Sequence, residues 1–174
     1  MQSKCSPAIL ALFGVVLAAP PAAAAEVDAA MVSNTCAGCH GTDGRSEGQA
    51  PSIAGLSREY LRAAMLEYKN GTRYSTIMGR IARGYTEAEI EAMAEFFAAR
   101  PWTPASQATD PDMVARGARL HATHGCGTCH GAEGTALVPL IPNMTGQYAD
   151  YLYFQMIDYV NPDAPKGGEY TTWA

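Results

Sequence analysis

The sequence predicts an all-α protein built as two small tandem domains, the second lacking its C-terminal helix. Three observations carry this. The pattern Cys-x-x-Cys-His occurs twice, as Cys36-Ala37-Gly38-Cys39-His40 and Cys126-Gly127-Thr128-Cys129-His130. A shift of about 90 residues superposes more than these motifs, so the chain is an internal repeat. The segments between them carry helix caps and helical periodicity, and no strand-like alternation competes.

Residues 1–25 read as a secretory signal peptide. Lys4 supplies the positive start, residues 8–19 form an apolar run, and Ala23-Ala24-Ala25 offers a small-residue cleavage site. That run is short for a membrane span. Cys5 is expected to leave with the peptide, and no membrane span is expected after cleavage. The first domain then covers 26–100 and begins with a short helix over 26–35 leading into the first motif. Ser57 caps a second helix running to Asn70, with Gly71 just past its end. Thr86 and Glu89 form a capping box that opens a third helix through Ala99. Ile90, Met93, Ala94 and Phe97 recur on one face of it, as a core-facing helix requires.

Residues 101–109 form a linker whose Pro101 and Pro104 cannot continue a helix. The second domain, 110–174, opens with Asp110 as N-cap and Pro111 at the first helical position. Here Gly134 repeats Gly44 and, one inserted residue later, Pro142 repeats Pro51. Gly146 repeats Gly55, Tyr151 repeats Tyr60, Met156 repeats Met65 and Tyr159 repeats Tyr68. No third helix follows before the sequence ends.

Each five-residue motif is the attachment pattern of a c-type haem. Two thiols add to the porphyrin vinyl groups and the adjoining imidazole ligates iron, so Cys36, Cys39, Cys126 and Cys129 are the attachment residues and His40 and His130 the iron ligands. A redox disulfide or a four-thiolate zinc knot also uses Cys-x-x-Cys. Neither needs a histidine after both pairs, nor the glycines Gly41 and Gly131 that follow. After loss of Cys5 every cysteine is accounted for, leaving no disulfide framework although an exported protein could have one. Covalent haem would supply the apolar surface that such small domains lack. The compartment implied is the bacterial periplasm.

The sixth ligand separates a carrier from a catalyst. Methionine opposite histidine raises the potential and closes the iron. Met65 and Met93 fall within amphipathic helices, where methionine is usually core filler. Met78 falls in a loop between helices, next to Gly79, and is the expected ligand of the first haem. In the second domain the equivalent position falls near Glu169, and residues 166–174 contain no methionine. Met144 and Met156 are poor substitutes, and His121 and His124 read as surface or propionate-side residues. A fragment, a frameshift or a true truncation would each explain the unfilled position.

The net charge of −5 argues against nucleic acid as a partner. There is no glycine-rich dinucleotide fingerprint, no thiol left to attack sulfur, and no nucleophile–base pair. Electron transfer without catalysis is the expectation. A different class of reading, an enzyme or gas sensor with an open second haem, rests only on the absent methionine.

With these residues placed, the chain resembles the two-haem cytochrome subunit of flavocytochrome c sulfide dehydrogenase, a tandem class I cytochrome c, over roughly Val32 to Tyr159. The stretch Ser75-Thr76-Ile77-Met78-Gly79-Arg80-Ile81-Ala82-Arg83-Gly84-Tyr85 looks like that subunit's first methionine-ligand segment, and 34–42 supports it. The resemblance implies two haem c groups and a separate FAD-binding subunit that oxidises sulfide. It also implies a soluble acceptor such as a cytochrome c. A free-standing two-haem carrier with no flavoprotein partner is the alternative. The family would continue with a second methionine ligand and a closing helix.

Overall fold

The computed structural model describes residues 26–48 and 50–165. The expected signal peptide, 1–25, and the methionine-free end, 166–174, lie outside the described residues. Eight α-helices and one 3-10 turn are formed within them, and no β-strand is formed there.

In the first domain α1 (Ala29–Asn34) leads into α2 (Ala37–His40), which carries the first motif, followed by a 3-10 turn at Thr42–Gly44. Helix α1 starts later than the expected 26, because the Asp28 carboxylate accepts from Met31 N and so fixes the N-terminus there. Helix α3 (Arg58–Asn70) is bounded by Ser57, whose hydroxyl accepts from Tyr60 N, and by Gly71 in the left-handed conformation. Both ends match the sequence expectation. Helix α4 (Met78–Ala82) is short and was expected as loop. Helix α5 (Glu87–Ala98) has the full capping box between Thr86 and Glu89.

Helix α5 is the keystone of this domain. It packs on both α1 and α3. Its Ile90, Met93, Ala94 and Phe97 are all buried, against Val32, Leu56 and Leu61. That is the predicted face.

In the second domain α6 (Pro111–Thr123) begins at Asp110 and Pro111 as expected. Helix α7 (Gly127–His130) carries the second motif, and α8 (Ala149–Val160) repeats α3. Neither α6 nor α8 has a fully buried residue. Met113, Val114, Leu120, Phe154 and Met156 are exposed. No described helix is long and apolar enough to cross a membrane.

The two copies meet through the segments flanking α3 and α8. Gln147 is buried and bonds Ser52 twice, accepting from its N–H at 2.9 Å and donating to its carbonyl at 2.9 Å. Tyr148 donates to Ser46 O at 2.8 Å, and Tyr74 N donates to Pro165 O at 2.8 Å. At the centre lies Arg73, its side chain only 9% exposed. It donates to Tyr60 Oη at 3.1 Å, pairs with Glu67 at 3.5 Å, and lies over the Tyr60 and Tyr68 rings. Tyr151 and Tyr159, the repeat partners of Tyr60 and Tyr68, close the cage from the other domain. The repeat counterpart of Arg73 is Ala164, also buried.

Burial pushes the Tyr68 hydroxyl up to about 12, and raises Tyr151 and Tyr159 above their usual range as well. Arg73 favours their ionisation, but burial outweighs it. Groups with raised folded-state values stabilise fully below their unfolded value near 10, and that contribution is lost as pH rises through the folded value. The domain contact should therefore weaken from about pH 10 upward. A tyrosinate absorbance titration should show these hydroxyls ionising together with loss of compactness in small-angle scattering. Simple, independent titration near pH 10 would contradict the cage.

Candidate haem sites

Each motif folds into one turn of helix that begins on its first cysteine and ends on its histidine. Cys36 N-caps α2 and accepts from His40 N through its carbonyl at 2.9 Å; Cys126 and His130 repeat this at 3.1 Å. All four thiols are free. Burial raises Cys36 above the ordinary thiol range. Among the described residues no group of three or more His, Cys, Asp or Glu side chains is arranged to hold a metal ion.

The histidines are held alike. His40 is 9% exposed, and its Nδ1 lies 2.8 Å from Pro51 O. His130 Nδ1 lies 3.1 Å from Pro142 O. A carbonyl can only accept, so Nδ1 carries the proton in each ring and Nε2 keeps its lone pair. Burial pulls His40 below its usual range, and the Pro51 carbonyl partly offsets this. A neutral imidazole, fixed in one tautomer by a backbone carbonyl, is what an iron ligand requires. Pro51 and Pro142 were legible as repeat partners, and their role as acceptors was missed. The signal was a proline 11 or 12 residues after each motif histidine.

The loops that follow are also repeated. Gly41 and Gly131 both have φ +75°. Gly44 O accepts from Ile53 N and Ala54 N, as Gly134 O does from Met144 N and Thr145 N. This fixes the proline carbonyls over the histidines.

Met78 is half-buried and opens α4, rather than lying in a loop. Helix α4 packs on α3, and Gly79 N donates to Ser75 Oγ at 2.8 Å. Met93 is buried in the core and Met65 packs against it, so both are committed to packing. Met144 lies in the loop bound to Gly134, and Met156 is 61% exposed on α8. His124 is exposed as expected. His121 is not: its Nε2 is buried without a partner, and its ring lies against Gly127 of the motif. The second site carries Leu137 as well, whose N–H donates to Cys129 O and whose side chain lies beside Gly131.

Two thiols and a pre-set imidazole on one turn, twice over, fit covalent haem. The sequence model described as cytochrome c matches residues 24–99. Across 144 residues the chain is 30% identical to cytochrome c4 of Thiocapsa roseopersicina, covering 77% of this chain and 73% of that protein. The chain belongs to the cytochrome c family. Over 67 residues it is 55% identical to the cytochrome subunit of sulfide dehydrogenase of Chlorobaculum tepidum. That stretch is 38% of this chain and 61% of the subunit's length. The crystal structure of reduced recombinant cytochrome c4 from Pseudomonas stutzeri superposes with a TM-score of 0.71 at 23% identity, covering 83% of this chain and 86% of that one. As a cytochrome c of tandem class I architecture, the chain carries haem c and transfers electrons. It is an electron-transfer protein.

Proposed function

We propose that this cytochrome works in the periplasm, taking electrons from an FAD-containing sulfide dehydrogenase subunit and passing them to a soluble carrier. The observation that carries this reading is the 55% identity to the cytochrome subunit of a sulfide dehydrogenase. Domains 26–100 and 110–174 would each hold one haem. Cys36 and Cys39 attach the first, and His40 and Met78 ligate its iron. Cys126 and Cys129 attach the second, ligated by His130. When bound, haem iron supplies reversible one-electron transfer. The chain's own part is positional. The Pro51 and Pro142 carbonyls hold each imidazole proton on Nδ1, and the linker fixes one domain against the other. Ala105 N donates to Gly146 O at 2.7 Å, and Gln107 bridges Gln147 O and Ala149 N.

A second reading is a free-standing two-haem carrier. It is favoured by the longer alignment, which spans both domains, with cytochrome c4. Purifying the protein from its native periplasm decides between them. A co-eluting FAD polypeptide with two haems on this chain supports the subunit. Two haems and no flavin partner would move the reading to the carrier.

A further inference from the structure

We propose that Tyr85 is a positioning residue for the first haem, clasping the Met78 segment to the attachment motif. We further infer that the second domain is built without this clasp. The inference rests on the reading of Met78 as the first haem's sixth ligand.

The clasp is a chain of short contacts. The Thr35 hydroxyl donates to Val32 O at 2.7 Å, so its oxygen is free to accept. Tyr85 Oη lies 2.7 Å from that oxygen and is the donor. Thr35 is the C-cap of α1 and immediately precedes Cys36, whose sulfur is 3.9 Å from the same hydroxyl. The Tyr85 ring also packs against the core cluster. On its other side, Lys69 in the last turn of α3 donates from Nζ to Tyr85 O at 2.6 Å. The strap running from Met78 through the fully buried Ala82 is thereby tied at its far end to both α3 and the haem motif.

This matters because a thioether is a weak ligand held in place by its backbone. Helix α4 has five residues, and its N-cap, Ile77, makes no side-chain capping bond. So short a helix cannot hold itself. The strap depends on what ties it, and Tyr85 supplies the tie closest to the attachment cysteines.

The repeat shows why only one haem has it. The counterpart of Thr35 is Gly125, which directly precedes Cys126 and has φ +66°. A glycine offers no hydroxyl, whatever residue approaches. The two haem environments are thus made unequal at the residue before each motif, independently of the second haem's sixth ligand.

The test uses the oxidised holoprotein and variants Tyr85→Phe, Thr35→Ser and Met78→Ala. Cyanide binding is followed by stopped flow, together with the near-infrared methionine–iron band and a redox titration. Tyr85→Phe keeps the ring and removes one hydrogen bond. It should speed one cyanide phase about tenfold, the factor that a hydrogen bond of ordinary strength is worth. It should also weaken the methionine band and shift one potential, leaving the other haem's phase and potential alone. Thr35→Ser, which keeps the hydroxyl, should behave as wild type. Met78→Ala should remove the first haem's share of the band and identify which phase belongs to that haem. If Tyr85→Phe changes neither phase, or both equally, while Met78→Ala weakens the band, the clasp is wrong and the ligand assignment stands. If Met78→Ala leaves the band unchanged, the ligand assignment falls and the clasp with it.

Discussion

Replacing Met78 by alanine lowers the reduction potential of one haem and opens that iron to carbon monoxide, while the other haem is unaffected. A neutral thioether opposite histidine favours the reduced iron, so losing it lowers the potential. A drop of roughly 0.1 V or more is expected, a modest part of the ~0.8 V range that axial ligands command. The variant should still fold. Met78 is only half-buried at the start of a five-residue helix, and the core rests on α1, α3 and α5. The control is Met93→Leu. Met93 is 3% exposed and packed among Val32, Leu61 and Ile90. Its replacement by a side chain of similar volume should cost under about 1.5 kcal/mol and leave the spectrum unchanged. A redox titration with carbon monoxide difference spectra reads both variants. A Met78→Ala protein that stays closed with both potentials unchanged would remove the assignment.

What could be read from the sequence was short-range. Ser57 with Gly71, Thr86 with Glu89, and Asp110 with Pro111 each fix a helix end through atoms within four residues, and each was placed correctly. The haem motifs are local for the same reason. Met78 was expected in a loop and opens a short helix instead. Ile77, the N-cap, makes no side-chain capping bond, and α4 is held by Ser75 Oγ and by packing on α3. His121 reads as a surface residue by composition, yet its Nε2 is buried and its ring lies against Gly127. The Arg73 cage lay furthest out of reach. It joins Tyr60 and Tyr68 to Tyr151 and Tyr159 across the two domains. The repeat pairs these tyrosines in sequence, but pairing is not contact. Long-range packing makes the contact, and no local signal encodes it.

Gly41→Ala should abolish the first haem site, whereas Gly38→Ala, three residues earlier in the same motif, should be tolerated. Gly41 has φ +75° and ψ 167°, a region essentially restricted to glycine. A Cβ there would lie 1.9 Å from the Arg45 carbonyl oxygen, which is backbone and cannot rotate away. Conformational strain alone costs about 1–3 kcal/mol. With the clash added, the loss becomes a large fraction of the ~5–15 kcal/mol that holds a domain together. The turn also carries the loop that brings Pro51 O to His40, so both stability and ligand orientation suffer. Gly38 is different. A Cβ at that position meets nothing within 4 Å, and Thr128 stands in its place in the second motif. Alanine there removes a helical glycine and should gain up to ~1 kcal/mol. Intact mass counts the haems directly. Gly41→Ala should carry one haem and Gly38→Ala two. Gly131→Ala should lose the second haem instead, since its Cβ would lie 2.2 Å from Thr135 O. If Gly41→Ala retains both haems with a native denaturation midpoint, the turn after the histidine does not build the site.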